Sequence, residues 1–183
     1  MGIAAPLRIR RSTASDIAAI RALTADAFRS EAHSAPPADG TDDPGEAALV
    51  VWLLEDPGAV PQLSLVAELD GRLVGHLMCS RGHVDDVPAL GLGPVSVHPD
   101  HQHAGVGTAL VYAVLGAAQA LDEPLVALLG DPAYYERFGF GPAEAMGITA
   151  PDPAWGVAFQ ALPLGSASTP TGTFRYAEPF DRL

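Results

Sequence analysis

"HPDHQHAGVGTALV", residues 98–111, follows the apolar run "LGLGPVSV" and opens a long segment almost free of charge. Two glycines two apart, between an apolar strand-like run and a helix-like one, put backbone N–H groups at a helix N-terminus. The helix dipole favours an anion there. A plain tight turn accounts for Gly105 and Gly107 equally well. A dinucleotide fingerprint does not fit, because Leu110 stands where a third glycine or an alanine should pack and no acidic residue follows at the ribose position. A nucleoside-triphosphate P-loop is excluded, because the chain contains no lysine. His98, His101 and His103 with Asp100 suggest a metal, but no second ligand cluster completes a site, so no metal is expected.

The chain around this stretch reads as mixed α/β. "LRIRRSTASDIAAIRAL" gives a strand and then a helix, with Thr13 and Asp16 as a capping pair and Ile17, Ile20, Leu23 and Ala27 on one apolar face. "EAALVVWLLED" gives a second helix that Pro57 and Gly58 close. "QLSLVAEL" and "RLVGHLMCS" flank Asp70-Gly71, a two-residue hairpin turn. In "ALGLGPVSV", Gly91, Gly93 and Pro94 interrupt a strand, since proline donates nothing to a ladder. Val106, Leu110, Val114, Ala117 and Leu121 mark the buried stripe of the following helix. "PLVALLG" suits a central parallel strand, reached by a right-handed crossover. "DPAYYERFGFGPA" gives a turn, a short helix and a strand start, and "WGVAFQAL" and "GTFRYAEPF" give two more strands.

Composition sets the bounds. The 183 residues are 48% hydrophobic and 17% charged, enough for one well-buried core. The formal charge of −12 argues against a nucleic-acid partner and attracts a cationic substrate such as an amine. The absence of lysine and asparagine fits a GC-rich, bacterial genome. Cys79 is the only cysteine, which excludes an intrachain disulfide and suggests a reducing compartment. The first residues lack a signal-peptide layout, and "TALVYAVLGAAQAL" is shorter than the roughly 20 residues that span a bilayer. A cytoplasmic protein with no membrane partner is the expectation.

"VSVHPDHQHAGVGTAL" resembles the acyl-CoA signature of the GNAT N-acetyltransferase superfamily, Gln/Arg-x-x-Gly-x-Gly/Ala after a strand ending in Val-x-Pro. The matching residues are Gln102, Gly105 and Gly107, after Val97 and Pro99. "GDPAYYERFGF" resembles the family's second landmark, a tyrosine before a Gly-Phe pair. The resemblance implies a GNAT-like fold: a mixed, mostly antiparallel twisted sheet with a central splayed parallel pair and flanking helices. It implies one domain over residues 1–183, with a core at about 7–142 and C-terminal strands at about 143–183 completing the sheet.

It further implies acetyl-CoA as co-substrate, its pyrophosphate on the backbone of Gln102, His103, Ala104, Gly105, Val106, Gly107 and Thr108. The pantetheine arm pairs with the strand Val95-Ser96-Val97, chiefly at Val95 and Val97, with the side chain of Ser96 incidental. Tyr134 packs beside the cofactor. The implied activity is transfer of an acetyl group to a primary amine of a small molecule or protein, by direct attack. Tyr135 then protonates the leaving thiolate, and an N–H near Val95 stabilises the oxyanion. Cys79 is read as a buried residue and not an acyl carrier. An asparagine common in relatives before the tyrosine is replaced here by Gly130-Asp131. No glutamate marks a general base; His83, Glu31 and a water relay stand equally. A non-catalytic acyl-CoA-binding sensor or interaction module is the alternative, and a homodimer is compatible with either.

Overall fold

Asp70 and Gly71 both take positive φ, 51° and 74°, and close the hairpin between β2 (Ala59–Leu69) and β3 (Arg72–Val84) as their side chains dictate. The computed structural model of the chain describes residues 6–165 and 168–183. A second two-residue turn, Asp85-Asp86, joins β3 to β4 (Val87–Val97), with Val84 opposite Val87. β1 (Arg8–Arg11) adds antiparallel to β2. α1 (Ile17–Phe28) and α2 (Gly45–Glu55) lie between β1 and β2 in sequence, and α3 (Val106–Ala120) crosses from β4 to β5 (Leu125–Leu129). After β5 come the one-turn α4 (Pro132–Tyr135) and β6 (Gly141–Pro142), β7 (Ile148–Thr149), β8 (Phe159–Pro163) and β9 (Gly172–Arg175). The described strands run in the order β1-β2-β3-β4-β5-β8-β6, with β9 pairing with β3 and β7. The fold is a mixed α/β sheet, mostly antiparallel, with the parallel pair β4–β5 at its centre and a short second parallel pair, β7–β9.

Both faces of the central strands are covered, so these strands are apolar almost throughout instead of alternating. Leu65, Leu77 and Cys79 face α3 and meet Leu110, Val111 and Val114. Val66 and Met78, on the opposite face, pack with Ile20 of α1 and Leu49, Val50 and Leu53 of α2. The stripe of α3 is rotated from the sequence expectation: Val111, Leu115 and Ala118 are buried with Val106, Leu110 and Val114, whereas Leu121 is 41% exposed. α3 ends at Ala120, so Leu121 falls on its cap and outside the periodic face. The tail departs as well. "WGVA" forms part of a 3-10 segment, Pro153–Ala158, and β8 begins only at Phe159. No helix among the described residues is long and apolar enough to cross a membrane.

A polar cluster pins α1 to the sheet. Asp16 accepts the Thr13 N–H at 2.7 Å, the expected capping contact, and both of its oxygens accept from Arg10 at 2.7 and 2.9 Å. Arg10 also donates to Glu68 at 2.6 and 2.9 Å. The Arg10 guanidinium holds the Asp16 carboxyl far below the usual carboxylate range. Nearby His76 is fully buried on β3, its Nε2 3.1 Å from Ser64 Oγ. Burial lowers its pKa from the usual 6.5 to about 3 and keeps it neutral.

A histidine with a depressed folded pKa binds its proton first in the unfolded chain. Its stabilisation is therefore full above about pH 6.5 and falls as the pH drops toward about 3. The Asp16 contribution is lost only in more acid solution, below that group's ordinary 3.8. Urea unfolding at pH 7 and pH 5 is expected to show a loss of about 2 kcal/mol from His76. The His76→Gln variant should lose correspondingly less over the same interval. An unchanged pH dependence in that variant would contradict this assignment.

Candidate active site

β4 and β5 pair only at Leu90–Val126 and Gly91–Ala127. Beyond these two residues the strands part. On the other edge of β4, Leu77 faces Val95 while Cys79 faces Leu92, so β4 carries one extra residue at Gly93-Pro94, a bulge that bends it away. The His98 N–H donates to Val74 O of β3 at 2.9 Å. Backbone groups alternate sides along a strand, so those of Val95 and Val97 face the opening. The side chain of Gln102 donates to Val97 O from that side at 3.4 Å. Ser96 points the other way: its hydroxyl is fully buried and donates to Thr24 of α1 at 3.0 Å.

The glycine turn lies at the end of this opening. Gly105, at φ 86°, is the N-cap of α3, a backbone conformation that glycine adopts freely. Among the described contacts, the N–H groups of His103 through Thr108 have no acceptor within the protein. A cavity of about 860 Å³ joins the turn to the strand, lined by Val95, Val97, Gln102, His103, Gly107 and Thr108. Gly105, Tyr134 and Tyr135 also border it. A β-carbon on Gly107 would stand 3.0 Å from the Tyr134 hydroxyl, so glycine keeps this corner open. Ala104 is exposed off the cavity, and the side chain of Val106 is buried in the core. Both bring backbone alone to the turn. The His98 and His101 rings stand 5.7 Å apart, and His98 Nδ1 accepts the Asp100 N–H. No group of three or more His, Cys, Asp or Glu side chains suited to a metal occurs among the described residues.

A second cavity, of about 1050 Å³, adjoins the first. Phe28, Val95, Asp131 and Tyr135 border both spaces, so the two meet at Tyr135. Tyr135 is held there by close contact with Gly130, just after β5: a β-carbon on Gly130 would lie 2.5 Å from its Cε2. Gly130 is itself fixed, its N–H on Ala158 O and its carbonyl accepting Gln160 Nε2, both at 3.0 Å. Burial first, then the neighbouring Tyr134 and Cys79, push the Tyr135 phenol well above its usual pKa. A phenol is protonated at neutral pH with or without that shift. Burial also raises the Cys79 thiol far above its ordinary value, which makes it a poor nucleophile.

Of the two side chains considered as a base, His83 lines the second cavity and Glu31 the first. Several bordering residues had no signal in local pattern. Arg137 is the sole arginine on the first cavity and stacks 4.7 Å over the Tyr134 ring. Its place directly after "YYE" was the only hint. Glu46 borders the second cavity, where its carboxylate accepts from Ser34 Oγ and the Ala35 N–H. Trp155 and Tyr176 arrive there from the tail.

A family model described as acetyltransferase (GNAT) domain matches residues 8–143. The uncharacterized N-acetyltransferase YjhQ of Escherichia coli is 39% identical over 113 residues, 59% of this chain. That match spans 62% of YjhQ, less than two thirds of its length. The uncharacterized N-acetyltransferase YhbS of E. coli is 34% identical over 75% of this chain and 84% of that protein. Among solved structures, YhbS in complex with CoA superposes with a TM-score of 0.84 at 29% identity, covering 100% of this chain and 96% of that one. A GNAT family acetyltransferase from Brucella melitensis, in complex with acetyl-CoA, gives 0.76 at 33% identity over 96% and 99% of the two chains. Two landmarks in order, a parted central strand pair and a match over most of the length converge on one conclusion: the chain belongs to the GNAT acetyltransferase family.

Proposed function

We propose that the chain is an acetyl-CoA-dependent N-acetyltransferase, moving an acetyl group to a primary amine by direct attack in a ternary complex. The observation that carries this reading is the position of the Tyr135 phenol at the junction of two cavities. Acetyl-CoA supplies a thioester open to attack by an amine. The glycine turn holds its pyrophosphate on the N–H groups of residues 103–108, and Arg137 adds a positive charge on the same cavity. The backbone of Val95 and Val97 takes the pantetheine arm as an added strand would be taken. The acceptor enters through the second cavity and reaches the thioester past Tyr135.

The residues then divide the proton and charge work. As nitrogen bonds to the carbonyl carbon, negative charge builds on the carbonyl oxygen, and the Val95 N–H facing the opening stabilises it. As the carbon–sulfur bond breaks, Tyr135 gives its proton to the departing thiolate. His83, on the acceptor side, is favoured over Glu31 to receive the proton that the amine sheds. Cys79 takes no part, because a buried thiol held protonated cannot carry the acetyl group. A compartment in the cytoplasm is compatible with a single cysteine, which forms no intrachain disulfide.

Replacing Gly107 with valine should place methyl groups against the Tyr134 hydroxyl and the phosphate site. Coenzyme A affinity is expected to fall by about tenfold or more, a loss of roughly 1.4 kcal/mol, with the thermal transition retained. Unchanged affinity in a folded variant, measured by calorimetry, would sink the phosphate role of the turn. For Tyr135→Phe the ring is kept and only the proton donor is lost. Its kcat should fall by about 10²–10⁴, or somewhat less, with coenzyme A affinity little changed. Tyr134→Phe should be milder. Full activity of Tyr135→Phe would remove the acid assignment.

A further inference from the structure

We infer that the second cavity takes a small cationic amine that bears no carboxylate, its body against an aromatic wall and its charge toward an acidic rim. This rests on the transferase reading for the identity of the reacting group, but the cavity argues for the ligand class by itself. At about 1050 Å³ it is the size of a small-molecule site. It is also built where β4 and β5 part. Gly91 is the last β4 residue to pair with β5, and a β-carbon there would lie 2.6 Å from Tyr176 Cδ1. Gly130 gives Tyr135 the same close seat at the end of β5. Two tyrosines on two glycines thus flank the opening, Tyr135 toward the cofactor and Tyr176 inside the acceptor space.

Tyr176 anchors the wall. Its ring lies 4.8 Å from Phe174, 4.6 Å from Phe180 and 6.2 Å from Trp155, and all four border the cavity. Phe174 is fully buried behind the others, whereas Trp155, Tyr176 and Phe180 are partly exposed, and aromatic faces attract a cation that has shed water. The ionisable groups point the same way. Glu46, Asp131, Asp152, Glu178 and Asp181 border the cavity against one guanidinium, Arg175, which donates to the Asp85 carbonyl at 2.7 Å. Glu178 is neutralised by Arg182. Asp131 and Asp152 each accept one backbone N–H, from Ala133 and Ala154, and Asp181 has no partner among the described residues. The −12 charge of the whole chain adds to this field. An amino acid would bring its carboxylate against that rim, whereas the corresponding decarboxylated amine brings none.

Matched pairs test this: cadaverine against lysine, and tyramine against tyrosine. Each is titrated by calorimetry into the protein saturated with CoA, and each is assayed for thiol release from acetyl-CoA. The amine of each pair should bind tighter than its amino acid by about tenfold or more. The double variant Asp152→Asn, Asp181→Asn, both exposed positions off the cofactor cavity, should narrow that preference several-fold with coenzyme A affinity unchanged. Equal binding within the pairs, preference for the amino acids, or no binding by any of the four would overturn the inference. Preferred binding of the amines without thiol release would uphold the ligand class and defeat the transferase reading. Faster acetylation of the amino acids would do the reverse.

Discussion

The functional architecture depends on one local failure of pairing. β4 and β5 are hydrogen-bonded at Leu90 and Gly91 and nowhere beyond. A sheet normally leaves no backbone donor or acceptor unpaired in its centre, because each buried orphan is costly. Here the extra residue at Gly93-Pro94 turns β4 outward, and Val95 and Val97 present an open edge in the middle of the protein. An open central edge is a site for something that pairs like a strand. The glycine turn that opens α3 then supplies a second set of free N–H groups at the end of the same groove.

The opening is braced from both faces. Below it, the buried Ser96–Thr24 contact ties β4 to α1, and the end of α1 brings Ala27 and Phe28 to the groove. Above it, Gly130 is locked by Ala158 and Gln160 of the β8 region and gives the Tyr135 ring a fixed seat. The proposed acid therefore rests on Gly130 and the Ala158–Gln160 region that holds it, and not on the four-residue α4 alone. The same bracing separates the space at the glycine turn, where free N–H groups and Arg137 stand with Glu31 and Asp131, from a second space with more carboxylates on its rim.

What was legible in the sequence follows the range of the physics. Asp70-Gly71, the Thr13–Asp16 cap and the Gly105 turn are short-range devices, and each has the expected geometry. The interruption at Gly93-Pro94 was readable because proline and glycine are poor in a central strand. The Asp85-Asp86 turn escaped, since two like-charged residues carry no glycine signal and β3 runs on to Val84. β7 is two residues long, too short for any period. The pairing of His83 with Arg175 joins residues far apart in sequence, and no local pattern announces it. The site divides in the same way. Gln102 through Thr108, Tyr134 and Tyr135 lie in two contiguous motifs, whereas Glu46, Trp155 and Tyr176 become neighbours only through the tertiary fold.

The central claim is that the β4 edge and the glycine turn together form the coenzyme A site. Residue-resolved amide hydrogen exchange, with and without coenzyme A, tests it most directly. The account predicts strong protection on binding at Val95, Val97 and the amides of residues 103–108, with Ser96, whose backbone faces β3, unaffected. Protection confined to other segments, or binding that leaves Val95 and Val97 exchanging as before, would contradict it.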